Sequence, residues 1–170
     1  DGQNWNIEKI KNNLNWIIME DFKRRGNSTI RHDNRGGFSE RETAESKFKS
    51  LSYDNSWIKN EATGNMVKYS EEMGKFMAKN GLTNSKIRSI YGEIKRIQMG
   101  EFEKEKSSFY LLKPKVAYAL GRDDRNEGLK LFKLIFDCCA ADVTDQKTYH
   151  NFCNFIEAIL AYHKAYGGKD

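Results

Sequence analysis

The chain has 170 residues, 38% of them hydrophobic and 12% aromatic, which is enough to bury a core and too apolar for an intrinsically disordered chain. Its formal net charge is +5, a moderate excess whose distribution matters more than its total. No apolar stretch approaches the ~20 residues of a membrane-spanning helix, so no membrane contact is expected. The three cysteines, Cys138, Cys139 and Cys153, are too few and ill-spaced for a disulfide framework and point to a cytoplasmic protein.

A single proline in the whole chain argues for long helices and few tight turns. Trp5, Ile7, Ile10, Leu14, Ile17 and Ile18 recur at helical spacing and predict a first helix. The run KRRGNSTIRHDNRGG at 23–37 has no period and is rich in Gly, Asn and Arg, so a flexible basic loop is expected over about 23–38. Residues 39–60 are amphipathic but poorly patterned. Met66, Val67, Met73, Phe76 and Met77 mark a better helix, stopped by Asn80-Gly81.

Thr83 then reads as the N-cap of a strong helix with Ile87, Ile90, Tyr91, Ile94 and Ile97 on one face, closed near Gly100. Phe109, Leu111 and Leu112 lead to Pro114, which suits a first helical turn, and Val116, Ala119 and Leu120 face the core up to Gly121. Leu129, Phe132, Ile135 and Phe136 mark the next helix. The last starts near Thr144 or Asp145, carries Tyr149, Phe152, Ile156, Ile159, Leu160 and His163, and ends at Gly167-Gly168. Nothing alternates with period two and no internal repeat is visible. The fold expected is all-α, a compact bundle of about five to six helices forming a single domain over 1–170.

The positive charge is uneven. Residues 81–122 hold nine bases against four acids, whereas 1–80 hold fourteen against twelve and 123–170 six against eight. A localised basic excess is the footprint of a polyanion binder, although basic runs are often solvated helix surface. Arg88 and Lys95 are seven apart and share one side of their helix. Lys115, Tyr118 and Arg122, spaced three and four, form one stripe. Two cations flanking a phenol suit a nucleic-acid backbone, with phosphate taken by the cations and a base or sugar by the ring. Spacing alone leaves equally open that Tyr118 packs inward.

Chemistry is harder to find. Of three histidines, His32 lies in the flexible tract, His150 is three residues from Cys153, and His163 reads as a structural histidine on a core edge. Cys138, Cys139 and Cys153 make neither a disulfide framework nor a zinc spacing, so reduced, mostly buried thiols are expected. Asp123-Asp124 and Asp142/Asp145 fall at predicted helix starts, where carboxylates cap and complement the dipole. No catalytic, metal or nucleotide-binding motif is present, and neither enzyme activity nor a cofactor is expected.

Three ordered segments, LTNSKIRSIYGEIKRI (82–97), LLKPKVAYALGR (111–122) and FCNFIEAILAYHKAYGGKD (152–170), carry a family pattern. Its elements here are Leu82, Thr83, Ser85, Ile87, Arg88 and Tyr91; then Leu112, Pro114, Lys115, Tyr118, Ala119, Gly121 and Arg122. The closing helix supplies Glu157, Ala158, Ala161, Tyr162, His163 and Lys164. In this order and spacing the chain resembles the small subunit of type III-A CRISPR interference complexes, the Csm effector, over roughly 65–170. Lys86 stands where that family often has glutamine, and residues 1–60 find no counterpart, as expected of a lineage-specific helix and loop.

The resemblance implies a non-catalytic filament subunit that stacks on copies of itself beside the backbone and large subunits. It would hold target RNA paired to the guide RNA through phosphates, leaving cleavage and cyclic-oligoadenylate synthesis to the other subunits. Sequence-blind contact suits a guided complex, because base pairing supplies specificity. Arg88, Lys95, Lys115 and Arg122 are the first candidates for phosphate contact, with Lys86 and Lys113 next. The small subunit of the related type III-B (Cmr) complex, and a helical adaptor that binds only protein, remain alternative readings.

Overall fold

In a computed structural model of the chain, residues 42–169 are described and fold as seven α-helices with no strand. They are α1 (Ala44–Ser50), α2 (Ser56–Lys59), α3 (Gly64–Lys79), α4 (Asn84–Gln98), α5 (Phe102–Gly121), α6 (Glu127–Ala140) and α7 (Gln146–Ala165). The count is one above the expected range because the weakly patterned stretch after 39 forms two short helices. The predicted N-terminal helix and the basic run 23–37 lie outside the described residues.

Capping fixes several helix starts. Thr63 accepts from the Met66 amide at 3.2 Å, and Asn126 accepts from the Leu129 amide at 2.8 Å. Asp145 and Thr148 form a reciprocal capping box at the start of α7. Asp123 and Asp142, expected to cap, do other work. Asp123 accepts from Lys86 and Asn126, and Asp142 accepts from the Tyr53 hydroxyl at 2.9 Å. The turn residue Gly81 has φ +90°, a conformation that suits glycine, and separates α3 from α4.

The core is organised around α7, which runs along α3 in the most extensive helix pairing. At Gly74 of α3 a Cβ would come within 2.6 Å of the Ile159 carbonyl oxygen, so glycine lets the two backbones meet. Phe102, Phe109, Tyr149, Phe152 and Phe136 form one aromatic cluster, with Tyr149 stacked on Phe102 at 5.0 Å. The buried Tyr149 hydroxyl donates to the Ile94 carbonyl at 2.8 Å and ties α7 to α4. Tyr53, Trp57, Tyr69 and Phe155 make a second aromatic group.

One element differs in kind from the sequence expectation. Pro114 does not open a helix but lies inside α5, which starts twelve residues earlier at Phe102. Pro114 has no N–H to donate to the Tyr110 carbonyl. Both residues are on the exposed side of α5, so that carbonyl has water at hand and the helix continues.

Candidate nucleic-acid interface

The basic excess maps to α4 and α5, which pack side by side. The buried stripe Ile87, Ile90, Ile94 and Ile97 fixes how α4 is turned. Its first turn is held by an unexpected partner. Thr83 sits at the N-cap position with its hydroxyl bonded to that of Ser85 at 2.9 Å rather than to a helix amide, and the Asn84 amide donates to the Lys169 carbonyl at 2.8 Å. The C-terminal tail is seated by His163, which is fully buried rather than at a core edge. Its Nε2 lies 2.8 Å from the Leu82 carbonyl oxygen. Gly168 packs so closely on this imidazole that a Cβ there would lie 2.2 Å from Cε1.

On α5, Phe102, Phe109, Leu112 and Val116 face the core. Lys115 and Arg122 therefore look toward α4, and Tyr118 between them is 68% exposed. The outward alternative is thus the one realised for Tyr118. The Arg122 guanidinium lies over the Tyr118 ring, 5.9 Å from its centroid.

The α4–α5 seam is a chain of ion pairs. Lys86 meets Asp123 at 2.6 Å, Lys115 meets Glu93 at 3.8 Å, and Arg96 bridges Glu93 at 2.9 Å and Glu105 at 3.0 Å. Hydrogen bonding from Arg96 holds the Glu93 and Glu105 carboxyls below the usual range, and Lys86 does the same for Asp123. All three are therefore charged at neutral pH. Lys95 is turned the other way and meets Glu157 of α7 at 3.3 Å.

The six sequence-predicted cations thus do not form one face. Residues two apart on a helix point roughly 160° from one another, which separates Lys86 from Arg88 and Lys113 from Lys115. Lys86 and Lys115 pair along the seam, and beside it Arg122 lies over the outward ring of Tyr118. Arg88 and Lys95 occupy the α7 side of α4, and Lys113 lies on the far flank of α5. Arg88 and Lys113 are exposed and have no ion pair among the described residues. The fold adds Lys169 to the start of α4 through the Asn84–Lys169 bond, a tertiary contact with no trace in local sequence.

Other groups offer little chemistry. His150 is exposed while Cys153, three residues on, is buried, so the two do not share a ligand face. Burial raises the thiol pKa of all three cysteines, that of Cys153 to about 11, which leaves them protonated and weakly nucleophilic. An open cleft of about 850 Å³ between α1, α3 and the start of α6 mixes Lys47, Lys75, Lys79 and Arg125 with Glu42, Glu72 and Glu127. Three carboxylates stand among its four cations, and Glu72 already holds Lys47, so the cleft repels a polyanion almost as much as it attracts one.

The family model Csm2 Type III-A matches residues 60–169, a span that contains both helices of the seam. No curated protein and no solved structure matches the chain.

Proposed function

The chain belongs to the Csm2 family of type III-A CRISPR systems, the small subunit of the Csm complex, and we propose that it holds RNA there without catalysing a reaction. The observation that carries this reading is the α5 stripe Lys115, Tyr118 and Arg122, exposed beside Lys86 with its ring outward. From Ser107 to Arg122 the chain has three cations and no acidic residue. Such a surface takes phosphates without reading base sequence. In the assembly the RNA is a target strand paired to a guide RNA, and the protein neighbours are the backbone subunit, the large subunit and further copies of this chain. The weakly acidic thiols and the buried His163 support a non-catalytic role.

The six cations contribute unequally in this reading. Among the described residues Arg88, Lys113 and Arg122 have no carboxylate to give up, whereas Lys86, Lys95 and Lys115 must exchange one for phosphate. Fluorescence anisotropy with unrelated labelled RNAs across a salt series tests the proposal. The wild-type chain is expected to bind all of them alike and to weaken with salt. Arg88→Ala/Lys115→Ala/Arg122→Ala is expected to lower the slope of log affinity against log salt by about 2, at roughly 0.7 per lost phosphate contact. Binding that ignores both salt and the triple substitution would refute it.

A further inference from the structure

α5 is apolar on two opposite sides. Phe102, Phe109, Leu112 and Val116 fill the core. Tyr110 (61% exposed), Leu111 (58%), Pro114 and Tyr118 (68%) lie outward. At 3.6 residues per turn these four fall within an arc of roughly 100° whose centre is diametrically opposite the core stripe. Three of the six large hydrophobic residues that are exposed among the described residues belong to this one arc. A single exposed leucine or tyrosine is ordinary, but an ordered stripe along a helix marks a surface that is covered by a partner.

The charges around the stripe say what kind of partner. Lys113 borders one edge, and Lys115 and Arg122 the other. Of the carboxylates beside the stripe, Glu93 is shared between Arg96 and Lys115, Asp123 is held by Lys86 and Asn126, and Asp124 follows the end of the helix. The occupant is therefore anionic along both edges and flat or apolar between them. Single-stranded RNA with unstacked bases has this character. A duplex does not, because its bases are stacked on one another and it offers mainly phosphates and 2′-hydroxyls.

We propose that Tyr118, with the Arg122 guanidinium over its ring, is a stacking platform for an unpaired RNA base, and that Tyr110 takes a second base two turns away. The two tyrosines are eight residues apart, about 12 Å along the axis. Leu111 and Pro114 floor the space between them, while Arg122 and Lys113 hold the phosphates on either side. This rests on the RNA-binding reading and goes beyond it, since phosphate contact alone does not distinguish a strand from a duplex. A paired target would be met through its phosphates alone, and the rings would serve only bases that pairing leaves free.

The test uses the full chain and a short RNA carrying one 2-aminopurine, offered as a single strand or annealed to its complement. The wild type is expected to prefer the single strand and to change the probe's emission on binding. Tyr118→Ala should weaken single-strand binding about tenfold, the scale of one lost base stack, and leave duplex binding as it was. Tyr118→Phe, which keeps the ring, should retain both the affinity and the emission change. The proposal is overturned if Tyr118→Ala binds strand and duplex like the wild type while removal of Lys115 and Arg122 still abolishes binding. In that case RNA binding stands and the stripe belongs to a protein neighbour. A full chain that binds neither form at low salt sinks both readings. Since Tyr118 contributes nothing to the core, a circular dichroism spectrum suffices to confirm that each variant is folded.

Discussion

Helices α4 and α5 lie side by side and carry four lysines and arginines each, yet these cations meet different surroundings. On α4, Lys86, Lys95 and Arg96 each reach a carboxylate on a neighbouring turn or helix, and Arg88 has none among the described residues. On α5 the division runs along the axis. Lys104 and Lys106 pair within the first turns, with Glu101 and Glu103, whereas among the described residues Lys113 has no ion pair and Lys115 has only the 3.8 Å approach to Glu93. Beyond them Arg122 rests on a tyrosine ring. The outward sides differ as well, charged on α4 and apolar-aromatic on the second half of α5. Equal charge counts thus conceal a scaffold helix and a surface poised for a ligand. What separates them is whether an acid is within reach, not how many bases are present.

The contrast within α5 is open to the sharpest test. Leu112 is fully buried and its neighbour Leu111 is 58% exposed. Leu112→Ala should cost about 2–5 kcal/mol of stability in urea unfolding, as truncations in packed cores do. Leu111→Ala should stay within about 0.5 kcal/mol. Similar losses for both would mean that the outward side of α5 is packed in the free protein, and the comparison of surfaces would collapse.

A smaller effect probes the seam. Glu93→Gln removes the carboxylate that holds both Arg96 and Lys115. Exposed ion pairs contribute about 0–1 kcal/mol, so stability should barely move. RNA affinity should rise several-fold, because Lys115 is freed and one repelling charge is gone. Unchanged or weaker RNA binding in this variant would place Lys115 outside the contact surface.

How much of this was legible beforehand depends on range. The core stripe of α4 is a local period, and the isoleucines at 87, 90, 94 and 97 announced both the helix and its inward side. The outward Tyr118 stayed undecided, because a helix apolar on both sides gives no local clue to which side is buried. Pro114 was misleading for a related reason. Proline is most at home in a first turn, and its tolerance inside α5 depends on facing water, which is a tertiary property. The pairings of Lys86 with Asp123 and of Lys95 with Glu157 span 37 and 62 residues, and no spacing rule foretells them. The Lys169 carbonyl that caps α4 is equally remote in sequence. Membership of the Csm2 family was readable because its three motif segments retain their order.

The central claim, that the second half of α5 is the RNA-contacting surface, is tested most directly by ultraviolet crosslinking of the full chain to a labelled RNA, followed by tryptic mass mapping. The account predicts nucleotide adducts on the peptide Val116–Arg122, which carries Tyr118, and their loss at high salt. Adducts confined to α7 or to the α4 side that faces it, with Val116–Arg122 unmodified, would contradict it.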